Sequence, residues 1–180
     1  MPYYPKLPSA LRADCSRCVG LCCVVPAFRA VQGFGFDKPP HEKCTHLARD
    51  SRCAIHEDRV ARGFVACVGF DCYGAGQRVV KELGVTLTWL GPADKVAVLS
   101  AAYSSFLVLH RLMASLTVAA TICGPALHAQ LRLKRMMLNR LCQTDEAKRG
   151  HLDLVKIERE IFALIGKLRS VVSSNQTPTD

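Results

Sequence analysis

The crowding of cysteine near the start of the chain constrains its fold more than any other feature. The stretch ADCSRCVGLCCVV, residues 13–25, places four cysteines within nine positions. Four more follow before residue 73, and only two of the ten, Cys123 and Cys142, lie beyond it. A segment of this size has little apolar material for a core of its own, so bound metal is one source of its folding free energy. Disulfides or thiols buried in a compact turn are the alternative.

The beginning of the chain bears on that choice. MPYYPKLPSALR contains three prolines and no apolar segment of the kind that forms the core of a secretory signal. We therefore expect a cytoplasmic protein. In the cytoplasm disulfides are rare, and dense cysteines more often bind metal.

The charge of the chain gives little reason to expect nucleic acid as a partner. The formal net charge is +9, from 24 basic and 15 acidic residues, and no block of five like charges occurs. A basic arm of the kind that binds nucleic acid is therefore absent from the sequence. With 49% hydrophobic and 22% charged residues, the composition is that of a globular protein.

The sequence pattern changes along the chain and predicts a mainly α protein, in which an irregular, cysteine-rich, metal-bound module is followed by a small helical bundle. We place the module at residues 1–83, the bundle at 84–174 and a flexible tail at 175–180. Apolar residues at three- and four-residue spacing predict helices over about 92–122, 125–143 and 152–172. Pro125 suits the first position of the second helix.

The first of these helices is apolar enough to raise the question of a membrane span. Between Val96 and Ile122 the only charged side chain is Arg111. The apolar runs on either side of it are each shorter than the roughly 20 residues that a span requires. Small residues are frequent in the stretch, which favours a helix buried among other helices over a membrane segment. The bundle also offers a surface for a protein partner or a homodimer.

The first cysteine cluster gathers sulfur in either of two conformations. In a helix, Cys15, Cys18 and Cys22 would point within about 60° of one another. In a loop, Cys15 and Cys18 would form the two-residue chelate common at zinc and iron–sulfur sites, and Gly20 would ease the turn that follows. Because adjacent side chains diverge, Cys22 and Cys23 fit two separate sites, or one multinuclear cluster, better than one tetrahedral ion.

The remaining sulfur ligands come from two further stretches. Cys44 and Cys53 have eight residues between them, with Asp50 and Ser51 near the expected tip, and Cys67 and Cys72 have four. Aromatic side chains flank these cysteines and would shield thiolates from water; they are Phe64, Phe70 and Tyr73. His46 and His56 lie near the cysteines. Either could replace a thiolate ligand, although a place beside the site is the simpler interpretation.

The complete candidate ligand set is therefore all-sulfur, which suits zinc and iron–sulfur clusters alike. Two four-cysteine zinc sites and an iron–sulfur cluster both remain open. Cys123 and Cys142 lie in helical patterns, where we expect them to be inert. The predicted ligands are Cys15, Cys18, Cys22, Cys23, Cys44, Cys53, Cys67 and Cys72.

These motifs resemble a known family. The order C-x2-C-x3-C-C, then C-x8-C-x-I-H-E-x-R, then G-F-x-x-C-x-x-F-x-C is similar to the YkgJ-type cysteine-cluster family, a zinc- or iron-chelating domain with eight cysteines. Three residues, rather than the two of the family's CxxCxxCC pattern, separate Cys18 from Cys22. The stretch GFDCYGAGQ and the helical region also resemble the cysteine-rich N-terminal region of some bacterial pentapeptide-repeat proteins, although no such repeat occurs here.

What the resemblance implies is a metal-binding protein, with zinc or iron as the metal. Some relatives of the family are linked to protein lysine methylation, so an iron–sulfur enzyme or redox protein is the first alternative. The second is a regulatory interaction module in which the metal is structural. The sequence shows no cofactor-binding signature and no acid–base pair, so catalytic residues remain unknown.

Overall fold

The fold is described by a computed structural model, which covers residues 6–84 and 93–174. Six α-helices occur in these ranges: α1 (Val65–Gly69), α2 (Ala75–Leu83), α3 (Ala93–Ala119), α4 (Pro125–Leu141), α5 (Asp145–Arg149) and α6 (Leu154–Ser174). Four single 3-10 turns precede them, at Ser9–Leu11, Cys15–Arg17, Leu21–Cys23 and Ala30–Gln32. In the described residues β-structure is limited to two isolated bridges. The predicted mainly α class is confirmed.

Helix α3 is the centre of the molecule and packs against α2, α4, α5 and α6. Phe106, Leu109 and Leu112 are completely buried along it. These side chains recur every three residues and so share one side of the helix. The core built on them also includes Leu21 and Val79 from the cysteine-rich half, so one apolar core joins both halves of the chain.

The apolar character of α3 comes from this central position. Its stretch Lys95–Ala119 is long and apolar enough to cross a membrane by length and composition, yet 56% of the most apolar window is buried inside the fold. Arg111, the charged residue in the middle, is half exposed and pairs with Glu158 of α6. These contacts are those of the core helix predicted from the sequence.

The predicted helix ends are close to the observed ones. Pro125 begins α4 as expected, and α4 ends at Leu141, two residues early. Helix α3 ends at Ala119 and is followed by a turn, in which the Thr121 amide donates to Val118 O at 3.0 Å. The predicted start at Pro92 and the predicted tail at 175–180 lie outside the described residues.

Three short helices, α1, α2 and α5, were not predicted. Helix α2 begins directly after Gly74, which has a left-handed conformation with a φ of +77° and turns the backbone before the helix. Helix α5 is capped by Thr144, whose hydroxyl accepts a hydrogen bond from the Ala147 amide at 3.3 Å. Of the residues GAG at 74–76, only Gly74 lies in the turn, since Ala75 and Gly76 already belong to α2.

The cysteine-rich half contains little regular structure and is held by specific contacts. Gln77 of α2 fixes the chain before the first cysteines: its Oε1 accepts from the Asp14 amide at 2.6 Å and its Nε2 donates to Arg12 O at 3.1 Å. A second, smaller core lies in this half, where the rings of Phe28 and Phe34 stack with centroids 4.5 Å apart. Its other buried members are Val24, Cys44 and Leu47.

Candidate metal centre

The first cysteine cluster is folded as two 3-10 turns separated by Gly20. Cys15 begins the first turn, whose amide at Ser16 is capped by the Asp14 carboxylate at 3.0 Å, and the second turn contains Cys22 and Cys23. Gly20 has a φ of +74°, and a Cβ there would lie 2.6 Å from Leu47 Cδ1. Only glycine fits such a position. The helical alternative for this stretch is therefore wrong, and Gly20 makes the turn predicted for it.

The second pair of cysteines lies on either side of a tight turn. The Ala48 amide donates to Arg52 O at 2.8 Å, and Ser51 at the tip has a φ of +65°. Leu47 and Cys53 form an isolated antiparallel bridge at its base. The Cys44 amide donates to Cys23 O at 2.9 Å, which brings this pair beside the first cluster.

The third pair is carried by α1 and the segment that leads into α2. Cys67 lies in α1, and its carbonyl accepts a hydrogen bond from Arg59 Nη1 at 3.0 Å. The Cys72 carbonyl accepts from the Ala75 amide at 2.9 Å, at the start of α2. Both cysteines are thus fixed through their backbones, which leaves their sulfur atoms for other partners.

All eight predicted ligand cysteines line a single cavity of about 890 Å³. Phe28, Phe34, Phe64 and Phe70 form part of its wall, and Tyr103 of α3 closes it on the side of the helical bundle. None of the ten cysteines forms a disulfide. The cavity-lining cysteines are Cys15, Cys18, Cys22, Cys23, Cys44, Cys53, Cys67 and Cys72.

Several of these thiols are close enough to affect one another's ionisation. The Cys23 thiol hydrogen-bonds to the sulfurs of Cys22 and Cys44, which raises its own pKa and lowers that of Cys22. The same hydrogen bond lowers the pKa of Cys44 to about 6. Burial raises the pKa of Cys18 and that of Cys67 to about 11. The thiols that line the cavity therefore differ in acidity, and Cys44 is more acidic than Cys18 and Cys67.

The thiols divide into two neighbourhoods that meet at the adjacent pair Cys22 and Cys23. Burial raises the pKa of Cys15 and that of Cys18, and the nearby thiols of Cys22 and Cys72 raise both further. Cys18 and Cys22 pack against the main core. We call Cys15, Cys18, Cys22 and Cys72 the first thiol group.

The other neighbourhood lies on the smaller core. Burial raises the pKa of Cys67, and the nearby thiols of Cys22, Cys44 and Cys53 raise it further. Cys23 and Cys44 belong to the smaller aromatic core rather than to the main one. We call Cys23, Cys44, Cys53 and Cys67 the second thiol group. Cys22 neighbours members of both groups, so the two groups are contiguous.

The sulfur atoms line the walls of the cavity rather than converging on a point. Across residues 6–84 and 93–174, no group of three or more His, Cys, Asp or Glu side chains is spaced to hold a metal ion as it stands. Four thiolates bound to one zinc ion would each lie about 2.3 Å from it. Binding of this kind would draw the sulfur atoms of each group inward.

The two histidines near the cysteines also line the cavity, but both have other contacts. The His46 ring lies edge-on to Phe64, with centroids 5.2 Å apart, and its backbone amide donates to Cys44 Sγ at 3.4 Å. His56 Nδ1 lies 3.0 Å from Glu57 Oε1 at the surface. These contacts agree with a place beside the cysteines.

The two cysteines outside the cluster lie in the helical half. The Cys142 side chain is completely buried in the main core, with Sγ 3.6 Å from Leu138 O. Cys123 is partly buried just after α3, with Sγ 3.7 Å from Ala120 O. Neither lines the cavity.

Sequence reasoning missed Lys38, which fastens the loop between the first and second cysteine pairs. Its side chain is buried, and Nζ lies within 3.2 Å of four backbone carbonyls, those of Val24, Pro26, Pro39 and Glu42. It also lies over the Phe28 ring, 4.7 Å from the centroid. A buried ammonium needs such partners, but a lone lysine in a sequence does not reveal them.

Two residues of α3 were also missed. Tyr103 lines the cavity, and His110 Nδ1 lies 2.7 Å from Tyr73 O, next to Cys72. Both are 1% exposed. Within an apolar helical stretch they read as ordinary core residues, because only the packing of α3 on the cysteine-rich half brings them to the site.

Comparison with known proteins shows a similarity to a bacterial protein. The chain is 29% identical over 139 residues to the uncharacterized protein YybG of Bacillus subtilis. The matched region is 77% of this chain and 50% of that protein, so the chain spans about half the length of the relative. No family model matches the chain, and no solved structure matches it.

Proposed function

We propose that this protein binds metal ions through the thiolates of its eight clustered cysteines. The observation that carries the proposal is the meeting of all eight on one cavity, although they come from three separate stretches of the chain. Thiols crowded in this way repel one another when ionised, and bound cations relieve that repulsion. The resemblance to the YkgJ-type cysteine-cluster family points in the same direction.

The first and second thiol groups are the proposed ligand sets. Each contains four sulfur atoms, the number that a tetrahedral zinc site or a cubane iron–sulfur cluster requires. Because Cys22 and Cys23 belong to different groups, no single ion has to bind two adjacent side chains. Because Cys22 and Cys23 are adjacent, the two groups could also bind one multinuclear metal cluster together.

The donor set fits zinc and iron alike, and the proposal includes both. Bound zinc would link the three stretches and supply folding free energy to a half with little regular structure. A bound iron–sulfur cluster would add the capacity to transfer an electron. In either case the protein supplies eight thiolates as ligands and aromatic side chains as part of the cavity wall. Tyr103 of α3 closes the cavity on the side of the helical bundle.

An iron–sulfur enzyme or redox protein is the second candidate function. The observation that favours it is the size of the cavity, since about 890 Å³ exceeds the volume of metal ions alone. Charged side chains that line the cavity, among them Arg52, Arg59 and Asp71, could contact a small polar substrate. Turnover of a defined substrate that is lost with the cluster would establish this function.

The contact with a protein partner or second copy through the helical half stays a prediction. Helix α4 exposes three apolar side chains at helical spacing, Leu133, Met136 and Met137. They lie on the bundle, away from the cysteine cavity. Metal binding and partner binding can therefore be tested separately.

The test is the metal content of protein purified without oxygen, together with its visible absorbance. Cys18→Ser and Cys44→Ser each remove one ligand from a different group, so we expect each to lose about half of the metal of the unaltered chain. Cys123→Ser is the matched control and should retain all of it. The proposal is wrong if the first two variants keep the full metal content and an unchanged thermal midpoint.

A further inference from the structure

Among the described residues of the helical bundle core, Tyr103 alone both lines the cysteine cavity and has a buried side-chain polar atom without a partner. Its side chain is 1% exposed and lines the cavity. Its hydroxyl makes no hydrogen bond within the described residues. A buried hydroxyl without a partner is destabilising, so the arrangement indicates that a group in the cavity satisfies it.

The position of the ring points to the first thiol group as the neighbour. A Cβ on Gly76 would lie 2.5 Å from Cys18 Sγ and 3.9 Å from Tyr103 Cε2. The missing side chain of Gly76 thus leaves the space in which the Cys18 sulfur and the tyrosine ring both approach α2. Cys22, which belongs to the same group, packs against the core that contains Tyr103.

The phenol is suited to donate rather than accept. Burial raises the pKa of Tyr103, and the charges of Cys22 and Cys72 raise it further. The hydroxyl therefore keeps its proton at neutral pH. The ionisable groups near it include Cys22, Cys72 and Cys18. Their sulfurs accept hydrogen bonds but, once bound to a metal, no longer donate them.

We propose that the Tyr103 hydroxyl donates a hydrogen bond to an anionic sulfur of the metal group held by the first thiol group. This inference rests on the proposed metal-binding function. The acceptor is either a cysteine thiolate or an inorganic sulfide of a cluster, which share the same chemistry. Such a bond would orient the sulfur and withdraw electron density from it. Tyr103 is thus a positioning residue that couples α3 to the site.

The test compares Tyr103→Phe with the unaltered chain and with Ser105→Ala. Ser105 is a matched control, since it is also a buried, unpartnered hydroxyl of α3 but does not line the cavity. Reduced, metal-free protein is titrated with cobalt alone, which supplies no sulfide. A second arm reconstitutes the same proteins with iron and sulfide, and measures the reduction potential.

If a thiolate is the acceptor, Tyr103→Phe weakens binding of part of the cobalt by about 10- to 100-fold. The sulfur-to-cobalt charge-transfer band also moves to longer wavelength, because a sulfur without its hydrogen bond gives up electron density more easily. If a sulfide is the acceptor, only the iron arm changes, and the reduction potential falls. Ser105→Ala changes neither arm.

An unaltered cobalt spectrum and affinity together with an unaltered potential in Tyr103→Phe would overturn the inference and leave the proposed function standing. Failure of the unaltered chain to bind either cobalt or iron would overturn both. Because the substitution removes only an oxygen that lacks a partner, we expect the metal-free variant to be at least as stable as the unaltered chain. The spectroscopic readouts therefore report on the hydrogen bond and not on loss of folding.

Discussion

The cysteine-rich half and the helical half of this protein are stabilised in different ways. In residues 93–174 the backbone hydrogen bonds are made within four helices, and apolar side chains such as Phe106 and Leu109 are completely buried. In residues 6–73 the short helix α1, four 3-10 turns, two isolated bridges and single side chains such as Lys38 connect the chain. The comparison teaches that the first half has little regular structure of its own to hold eight thiols at one cavity, and the metal proposed above would stabilise this half.

Removal of metal should therefore affect the two halves very differently. We expect chelation to release the amides of residues 14–72 to fast hydrogen exchange, because a structural metal contributes on the order of 10 kcal/mol. The amides in the middle of α3 and α4 should stay protected. Hydrogen exchange with mass spectrometry, before and after chelation, measures both. Equal loss of protection in the two halves would break the comparison.

A core substitution in α3 should instead weaken the whole molecule. Phe106 is completely buried in the core that also contains Leu21 and Val79, so Phe106→Ala should lower the free energy of unfolding by about 3–5 kcal/mol. Urea unfolding followed by circular dichroism gives the value.

The matched control for this change is Val98→Ala, at an exposed position of the same helix. It should change the free energy of unfolding by about 0.5 kcal/mol or less. Similar losses for the two variants would mean that α3 is not the centre of the core.

The pH dependence of stability should test the contact between the two halves at His110 of α3 and Tyr73. His110 of α3 has its pKa lowered from 6.5 to about 4 by burial. As the pH falls, the unfolded chain therefore protonates His110 at a higher pH than the folded protein does. The stability that the folded state gains from neutral His110 is complete above about pH 6.5 and is lost as the pH falls towards 4. The loss is about 3 kcal/mol. Urea unfolding at several pH values measures it.

His110→Asn is the control for this pH effect, because an amide can still donate to Tyr73 O but does not titrate there. Acid also releases metal from thiolates, but this contribution is common to both proteins. The slope of stability between pH 6.5 and 4 should therefore be smaller in the variant. Equal slopes would show that His110 is not the titrating group.

The smallest expected effect tests the close approach of α2 to the first thiol group. Gly76→Ala would place a methyl group 2.5 Å from Cys18 Sγ. The crowding costs about 1–3 kcal/mol, and the better helix propensity of alanine offsets up to about 1 kcal/mol of it. We expect a net loss of about 1–2 kcal/mol in urea unfolding, with weaker metal binding by the first thiol group.

Gly166→Ala in α6 is the matched control for this glycine. A Cβ at Gly166 meets nothing within 4 Å, so the same substitution should stabilise the protein slightly. If the two alanine variants behave alike, Cys18 does not lie against α2 in the way described.

Sequence patterns were sufficient for the long helices because apolar periodicity and Pro125 mark α3, α4 and α6 directly. They were insufficient for α2, which follows the turn at Gly74 and ends next to the predicted boundary between residues 83 and 84. The short α5 was missed although Thr144 and Gly150 are ordinary capping residues at its two ends, because a five-residue helix carries too little periodicity.

The candidate site shows the same limit. Local spacing identified the eight cysteines that the fold brings to one cavity, since each pair is held by a turn of its own. Spacing could not identify Tyr103 or Lys38, whose roles depend on contacts between distant parts of the chain. Nor could it divide the ligands into the two thiol groups, because that division depends on which thiols the fold brings together and on the different cores that Cys22 and Cys23 pack against.

The most direct test of the central claim is X-ray absorption at the metal edge of the full chain purified without oxygen. If the eight cysteines hold the metal, the first coordination shell consists of sulfur alone, with about four sulfurs per metal at about 2.3 Å. A first shell of nitrogen or oxygen at about 2.0–2.1 Å, or a chain that retains no metal, would contradict the account.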